Sequence, residues 1–261
     1  MRGPAARPGD GERKRDGARS ALVWDVLRDV VAERAARTGR PALDIVDVGG
    51  GTGGFAVPFA ALGHRVTVVD PSPDALAAAQ RRAAEVPVAL TAVQGEADGL
   101  DALVGEAAAD LVICHSVLEY VDSPADAMAA IARVLRPGAT VSVLAANVVA
   151  AVLHRALAGR YAEARHLLTA AETAAGTTAE TAAEGGAGAP RRFTLASLTA
   201  LIEGAGLRPG DAHGIRVFAG LLPGAGADPV TADDLRALEE AAAVYPALRD
   251  IAARLHLLGY R

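Results

Sequence analysis

A run rich in glycine follows the first apolar segment of the chain. It reads Asp-Val-Gly-Gly-Gly-Thr-Gly-Gly and spans Asp47–Gly54. Glycine lets a backbone turn sharply and approach a ligand with no Cβ in the way. The next apolar segment ends in an acidic residue, Asp70, 21 residues after Gly49. A carboxylate at that place can accept hydrogen bonds from the two hydroxyls of a ribose, so these features together predict a ligand that contains a nucleoside.

Two classes of ligand fit this loop. Gly49, Gly51 and Gly54 satisfy the Gly-x-Gly-x-x-Gly pattern of dinucleotide-binding proteins. The same loop also satisfies the acidic-x-Gly-x-Gly-x-Gly pattern of class I S-adenosylmethionine (SAM) methyltransferases. In this pattern Asp47 is the acidic residue, and Gly49, Gly51 and Gly53 are the glycines. The glycine loop alone therefore leaves a nicotinamide dinucleotide and SAM both open.

Later segments favour SAM. After the third apolar run comes the turn Gln94–Asp98, which would lie near an adenine ring, where Asp98 can accept from the exocyclic amine. After the fourth run come His-Ser-Val-Leu-Glu-Tyr-Val-Asp-Ser-Pro (His115–Pro124) and a helical segment that ends in Leu-Arg-Pro-Gly (Ala132–Val143). This resembles class I methyltransferases, in which such a helix ends in Leu-Arg-Pro-Gly before the fifth strand. Nicotinamide dehydrogenases have no comparable signature.

Read together, the flanking segments are similar to the bacterial tRNA 5-carboxymethoxyuridine methyltransferase family. The segments that carry the resemblance are, in chain order, Ala18–Leu27, the glycine loop, His115–Val121, Asn147–Ala164, His213–Phe218 and Arg254–Arg261. That family uses SAM to make the methyl ester of a modified wobble uridine. The resemblance implies SAM as cofactor and methyl transfer as the reaction.

The resemblance also implies which positions bind SAM. Arg19 matches an arginine that contacts SAM, and its guanidinium can neutralise the carboxylate of SAM through two parallel hydrogen bonds. His115 lies at the carboxyl end of a predicted strand, where it can face the ligand. The catalytic residues stay unassigned. The full set expected to bind SAM is Arg19, Asp47, Gly49, Gly50, Gly51, Gly53, Asp70, Glu96, Ala97, Asp98 and His115.

The methyl acceptor has three alternatives. It is a tRNA, or a small carboxylate, hydroxyl or amine compound of secondary metabolism, or the protein binds SAM without catalysis and has no acceptor. A tRNA needs its phosphates neutralised, and the family's lysine-rich stretch is replaced here by a run of Ala, Thr and Glu. A carboxylate acceptor is already ionised, whereas a phenol or amine would gain from a base such as His115 or His154. The arginines available for tRNA phosphates are Arg155, Arg160, Arg165, Arg191 and Arg192.

These motifs need a sheet that brings strand ends together. Apolar runs alternate with helical patterns from Leu43 onward, which predicts a parallel sheet covered on both faces. We expect an α/β, Rossmann-like class I methyltransferase fold with a seven-stranded, mostly parallel sheet. An amphipathic helix is predicted from Ser20 to Arg37. The strands are expected at Leu43–Val48, Arg65–Val69, Val88–Val93, Leu111–Cys114, Thr140–Leu144, His213–Phe218 and Arg254–Arg261.

Composition sets the outer bounds. The chain has 261 residues and a formal net charge of −5. Its single cysteine, Cys114, excludes an internal disulfide and a zinc site made mainly of cysteines, and indicates a reducing, cytoplasmic setting. Apolar stretches are too short to span a membrane. We expect a disordered tail over residues 1–11, then one domain over 12–261 with a flexible insertion at about 170–190.

Overall fold

The computed structural model describes residues 10–175, 190–221 and 229–261, with side chains described from 21 to 169, 190 to 221 and 233 to 261. The strands are β1 (Asp44–Val48), β2 (Arg65–Asp70), β3 (Thr91–Gln94), β4 (Ala109–His115), β5 (Leu135–Ala146), β6 (Arg208–Ile215) and β7 (Arg254–Tyr260). The helices are α1 (Asp10–Thr38), α2 (Ala56–Ala61), α3 (Pro73–Glu85), α4 (Leu100–Val104), α5 (Pro124–Val134), α6 (Val148–Leu157), α7 (Tyr161–Ala175), α8 (Leu195–Gly204), α9 (Pro229–Ala243) and α10 (Pro246–Arg249).

The strands form one seven-stranded sheet in the order β3-β2-β1-β4-β5-β7-β6. Strands β1 to β5 pair in parallel, and β7 is antiparallel to both β5 and β6. The predicted Rossmann-like, mostly parallel sheet is thereby confirmed. The chain order reverses at β1, which lies between β2 and β4. In open α/β sheets the crevice beyond the carboxyl ends at such a point is where ligands bind.

Two apolar clusters cover the two faces of the sheet. Along β4, Leu111 and Ile113 pack with side chains of α1, α2 and α3, whereas Val112 and Cys114 pack with those of α4, α5 and α8. Successive strand residues point to opposite faces, so both alternating sets are buried. This explains why the strands read as continuous apolar runs.

The amino-terminal edge of the sheet holds an ion network that attaches α1. Asp110 is fully buried and pairs with Arg34 of α1 at 3.1 Å, Arg40 at 2.9 Å and Arg136 at 2.8 Å. Arg34 also donates to the carbonyl of Gly138 at 3.0 Å. The Leu-Arg-Pro-Gly segment therefore connects the first helix to the edge opposite the glycine loop.

Three expected strands have other bounds in the structure. The fifth begins at Leu135 rather than Thr140 and ends at Ala146 rather than Leu144, because Leu135 already pairs with Ala109 of β4 before the register shifts. The third begins at Thr91 rather than Val88, because the N–H of Val88 bonds to the carbonyl of Ala83 at the end of α3. The sixth begins at Arg208, where it pairs with Tyr260 of β7, instead of at His213. It ends at Ile215 instead of running to Phe218, because Arg216 has φ +61° and leaves the extended region.

The ends of two other expectations fall outside the described residues. The tail expected over residues 1–11 is wrong at its last two residues, because α1 begins at Asp10 rather than at the expected Ser20; residues 1–9 are not described. The insertion expected at about 170–190 overlaps the end of α7, and 176–189 lie outside the described residues. In the ranges that the structure describes, no helix combines the length and apolarity that crossing a membrane requires.

Candidate active site

The glycine loop leaves β1 at its carboxyl end and turns back towards α2. The N–H of Gly49 donates to the carbonyl of Val69 at the end of β2, at 2.7 Å. Gly49, Gly51 and Gly53 have φ of +63°, +54° and +78°, a region that side chains other than that of glycine rarely adopt. A Cβ at Gly49 would lie 2.4 Å from the Cγ2 of Val117. The loop is therefore packed closely against the segment that follows β4.

Gly51 marks the open side of this loop. A Cβ placed there would meet nothing nearer than the carbonyl oxygen of Gly49, at 3.9 Å. Space beside a left-handed glycine at a strand end is what a ligand approaching the backbone needs.

Asp70 lies at the end of β2, beside the loop, and is buried. Its Oδ2 accepts from the N–H of Gly51 and its Oδ1 accepts from the N–H of Ser72, each at 2.9 Å. A carboxylate has about four lone-pair positions, so both oxygens retain acceptor capacity. The structure thus holds Asp70 in a fixed orientation in which it can still accept from two hydroxyls.

Asp47 lies beneath the loop rather than above it. A Cβ at Gly50 would be 2.7 Å from its carboxylate. Burial raises the pKa of Asp47 to about 7, with the Asp70 charge acting in the same sense and a hydrogen bond from the backbone of Ala56 acting against it. Its position connects the loop to the start of α2.

The turn after β3 lies next to Asp70. The N–H of Gly95 donates to the carbonyl of Asp70 at 3.3 Å. Ala97 is buried in the core, whereas Glu96 and Asp98 are exposed. The turn is in a place to border a ligand held by Asp70, and the adenine contact of these residues stays a prediction.

Helix α1 passes beside the loop. Trp24 packs its ring at 4.6 Å from the ring of Phe59 and at 6.2 Å from that of Phe55. These two phenylalanines belong to the loop's end and to α2. The backbone of Arg19 belongs to α1, and its side chain lies outside the described residues.

His115 ends β4, the strand that pairs with β1 and so lies next to the glycine loop. Its ring meets the ring of Phe55 edge-on at 5.0 Å, and its Nε2 shares a hydrogen bond of 2.7 Å with the hydroxyl of Ser142. Its Nδ1 is buried with no hydrogen-bond partner among the described residues. Burial lowers the pKa of His115 to about 3, with the charge of Arg254 acting in the same sense.

A second group of polar residues borders the same edge beyond β4, β5 and β7. Glu119 is buried; its Oε1 accepts from the N–H of Ala146 at 2.9 Å, and its Oε2 has no described partner. Burial raises the pKa of Glu119, while the charges of Arg254 and Arg192 lower it. Arg254 donates to the hydroxyl of Ser116. The sequence pattern does not predict that Arg254 lies at this edge. Arg254 lies there because it pairs with Ala146 in the antiparallel register of β5 and β7.

Most of the arginines considered for tRNA have partners within the chain. Arg155 and Arg160 reach the carboxylate of Glu163 at 3.5 and 2.5 Å. Arg191 donates to the carbonyl oxygens of Val121 and Asp122. Among the described side chains, the remaining two, Arg165 and Arg192, make no ion pair.

The residues present fit SAM. The glycine loop has an open side, Asp70 retains acceptor positions, and the Nδ1 of His115 is an unpaired polar atom at the adjoining strand end. In the described ranges, no group of three or more His, Cys, Asp or Glu side chains could hold a metal ion.

Comparison with protein families gives an independent assignment for part of the chain. Residues 46–143 match the family model described as "Methyltransferase domain". This region runs from β1 to β5 and contains the glycine loop, Asp70 and His115. It covers the part of the sheet in which neighbouring strands pair in parallel.

Two curated relatives share part of the sequence. The tRNA 5-carboxymethoxyuridine methyltransferase of Escherichia coli (strain K12) is 32% identical over 149 residues, which cover 55% of this chain and 54% of that protein. The ubiquinone biosynthesis O-methyltransferase of Burkholderia thailandensis is 36% identical over 100 residues, covering 38% of this chain and 42% of the relative. The matching regions thus span about half the length of these relatives or less.

Solved structures share the fold. A SAM-dependent methyltransferase from Mesorhizobium loti superposes with a TM-score of 0.57 at 22% identity, covering 94% of this chain and 99% of that chain. A magnesium protoporphyrin IX methyltransferase from Synechocystis, crystallised with S-adenosylhomocysteine, gives 0.55 at 17% identity, covering 99% of this chain and 90% of that chain. At these identities the likeness concerns the fold.

Proposed function

We propose that the protein transfers a methyl group from SAM to an acceptor at the carboxyl edge of its sheet. Two findings support this: residues 46–143 match a methyltransferase domain family model, and the sheet has the fold of a SAM-dependent methyltransferase. The observation that carries the proposal is the pairing of an open, left-handed glycine loop with Asp70 at the adjacent strand end. Both features lie at the switch point beside β1, where a nucleoside is bound in such sheets.

The chain's own part in the reaction is positioning. When bound, SAM supplies a methyl group already activated by its positively charged sulfur. Asp70 orients the ribose, the loop at Gly51 admits the ligand to the backbone, and Arg19 pairs with the carboxylate of SAM. Phe55 and Trp24 exclude water from the side next to α1. Holding donor and acceptor in line replaces a bimolecular encounter with a preorganised one, which lowers the entropic part of the barrier.

A small organic molecule is the acceptor that the geometry favours. Arg155, Arg160 and Arg191 are engaged within the chain, and the chain carries a net charge of −5. A polyanionic nucleic acid would need free cationic side chains at its phosphates. A small acceptor needs only the groups that border the strand ends, such as Arg254 and Glu119.

The carboxylate of a modified wobble uridine in tRNA is the second candidate. The 32% identity to the Escherichia coli enzyme favours it. The positive charges of Arg254 and Arg192 both lower the pKa of the buried carboxylate of Glu119, so both lie near it. The same two guanidiniums could pair with an anionic acceptor. Tyr120 is 72% exposed beside them and offers a ring on which a base could stack.

Two measurements test the proposal. Calorimetry should detect binding of SAM and of S-adenosylhomocysteine but not of NAD, and binding of NAD alone would contradict the methyl-transfer function. Transfer of a labelled methyl group from SAM is then followed into total bacterial tRNA and into a small-molecule extract, separately. Label in the extract supports a small acceptor, whereas label in tRNA that disappears after ribonuclease treatment supports the wobble uridine.

A further inference from the structure

Four polar side chains form a hydrogen-bonded row across the sheet. His115 Nε2 and Ser142 Oγ are 2.7 Å apart, Ser142 Oγ and His256 Nε2 are 2.8 Å apart, and His256 Nδ1 and His213 Nδ1 are 3.2 Å apart. The four residues belong to β4, β5, β7 and β6, which are consecutive neighbours in the sheet. Ser142 and His256 are completely buried. We call these four residues the histidine row.

The two ends of the histidine row lie in different parts of the molecule. At one end, the Nδ1 of His115 is buried and unpaired at the candidate active site. At the other end, His213 lines a cleft of about 630 Å³ between α8 and β6, together with Asp211 and Arg249. A row of groups that both donate and accept thus joins the methyl-transfer edge to a separate cleft on the protein surface.

We propose that His115 Nδ1 takes a proton from the methyl acceptor and that Ser142, His256 and His213 conduct a proton onward to this cleft. The inference rests on the proposed methyl-transfer function. It narrows the acceptor to a hydroxyl or amine, because such a group has a proton to lose, whereas a carboxylate is ionised at neutral pH.

The donor and acceptor roles along the row are mutually consistent. If His115 donates from Nε2 to Ser142, the serine hydroxyl donates to His256 Nε2, and His256 then donates from Nδ1 to His213 Nδ1. Each neutral imidazole has one donor and one acceptor nitrogen. This arrangement leaves a lone pair on His115 Nδ1, as a base requires, and a proton on His213 Nε2.

The transfer balances in atoms and charge. The acceptor oxygen or nitrogen bonds to the methyl carbon as the carbon–sulfur bond breaks, and the electron pair of that bond stays on sulfur. The acceptor's proton goes to His115 Nδ1. One proton then moves across each hydrogen bond of the row, and His213 releases its Nε2 proton to water in the cleft. After product release, the reverse passage restores the row, with His213 taking up a proton and His115 losing one.

The buried environment of His115 explains why it needs the histidine row in order to act as a base. Burial disfavours the charged imidazolium and lowers the pKa of His115 to about 3, and Arg254 adds to this effect. A lone buried histidine would therefore hold the acceptor's proton poorly. Burial also lowers the pKa values of His256 and His213; at His213 the charge of Asp211 raises the pKa and the charge of Arg249 lowers it. Passing the proton along therefore moves it away from the buried His115 beside Arg254 to the end of the row that lines a cleft, where it can be released to water.

The test is nuclear magnetic resonance of the full chain labelled with ¹⁵N-histidine, saturated with S-adenosylhomocysteine. Protonated and lone-pair ring nitrogens resonate far apart, so each tautomer can be assigned. We expect a lone pair on His115 Nδ1 and a proton on His256 Nδ1. Replacing His213 at the far end (His213→Gln) should shift the ring resonances of His115. This response should vanish in Ser142→Ala and persist in Ser142→Thr, which keeps the hydroxyl.

His64→Gln is the matched control, because His64 is also buried but accepts from the N–H of Leu43, outside the histidine row. It should leave the resonances of His115 unchanged. A proton on His115 Nδ1, or a His115 that does not respond to His213→Gln when Ser142 is intact, would overturn the relay. Failure to bind S-adenosylhomocysteine would instead overturn the proposed function, and calorimetry on the same sample separates the two outcomes.

Discussion

At the scale of single residues, Asp70 has the most specific proposed role. Each of its oxygens accepts from one backbone N–H and keeps a further acceptor position, which we propose is filled by a ribose hydroxyl. Removing the charge in Asp70→Asn should weaken S-adenosylhomocysteine by about ten- to a hundredfold, since a hydrogen bond to a charged group contributes about 1.5–3 kcal/mol. Calorimetry measures the change. Asp74→Asn, an exposed position in α3, is the control, and equal affinity in the two variants would contradict the assignment.

Gly51 is the position where the loop faces open space. Gly51→Val puts a β-branched residue at φ +54° and fills the side from which a ligand approaches. We expect binding of S-adenosylhomocysteine to be lost. Gly39→Val imposes similar backbone strain at φ +65°, with no atom within 4 Å of the added Cβ. It should lower stability yet retain binding, so loss of binding in both variants would show that strain alone is responsible.

Asp47 should make stability depend on pH. Burial raises its pKa in the folded chain from 3.8 to about 7, so the folded state binds a proton more tightly than the unfolded state. The stabilisation is complete below pH about 4 and is lost as pH rises to about 7, a change of up to about 4 kcal/mol. Asp47→Asn should remove this decline.

Urea denaturation at about pH 5 and pH 8 measures the decline due to Asp47. The buried histidines act in the opposite sense, because the pKa of His115, for example, is lowered and its burial costs stability as pH falls below 6.5. The comparison of wild type with Asp47→Asn cancels that contribution. Identical pH dependence in the two proteins would contradict a carboxyl group that titrates near neutrality.

The sequence predicted the positions of residues at the ends of parallel strands. It did not predict the positions of residues that depend on antiparallel pairing. Asp70 and His115 follow apolar runs directly, so chain order alone places them at the carboxyl edge of the parallel strands. Arg254, His256 and His213 join that edge and the histidine row through the register of β5, β7 and β6. No local pattern specifies that register, because it depends on contacts between segments more than 40 residues apart.

At the scale of elements, the N–H groups after β6 explain why the sequence predicted too late an end for this strand. The apolar run continues through Val217 and Phe218, which favours a longer strand. Instead, the N–H groups of Val217, Phe218 and Ala219 donate to the carboxylate of Glu239 in α9, at 2.7, 2.8 and 2.7 Å. The carboxylate of Glu239, about 20 residues further along the chain, thus accepts the hydrogen bonds that the carbonyl groups of a neighbouring strand would otherwise accept.

The attachment of α1 depends on Asp110. Three arginines surround its fully buried carboxylate, and Asp110→Ala would leave them without that partner. Removing one partner of a buried ion pair typically costs about 3–5 kcal/mol, and we expect a loss of this order in urea denaturation. Asp101→Ala removes a carboxylate that pairs with the exposed Arg133 and should change stability little. A similar small effect in both variants would mean that other contacts hold α1.

At the scale of the whole molecule, one sheet serves two sets of groups. The parallel half from β1 to β4 presents the glycine loop and Asp70, and the mixed half from β5 to β7 presents Arg254 and most of the histidine row. The first half falls in the region that matches the methyltransferase family, residues 46–143. The mixed half lies mostly beyond it, which is why acceptor choice is the property least determined by the family resemblance.

The charge distribution leads to a prediction about salt. For nucleic acids, the logarithm of affinity falls by about 0.7–0.9 for each neutralised phosphate per logarithmic unit of salt. Arg155 and Arg160 are paired with Glu163, and Arg191 donates to the carbonyl oxygens of Val121 and Asp122. Of the candidate arginines with described side chains, only Arg165 and Arg192 therefore have neither an ion pair nor a hydrogen bond to a distant segment. We therefore expect any binding of bulk tRNA, measured by filter retention from about 50 to 200 mM salt, to give a plot of log affinity against log salt with a slope no steeper than about −2.

The double variant Arg165→Ala with Arg192→Ala should make this slope shallower. The control Arg133→Ala, on another surface, should leave the slope unchanged. A slope of −5 or steeper would restore tRNA as the favoured acceptor, because it would require a phosphate-binding surface that these two side chains cannot provide.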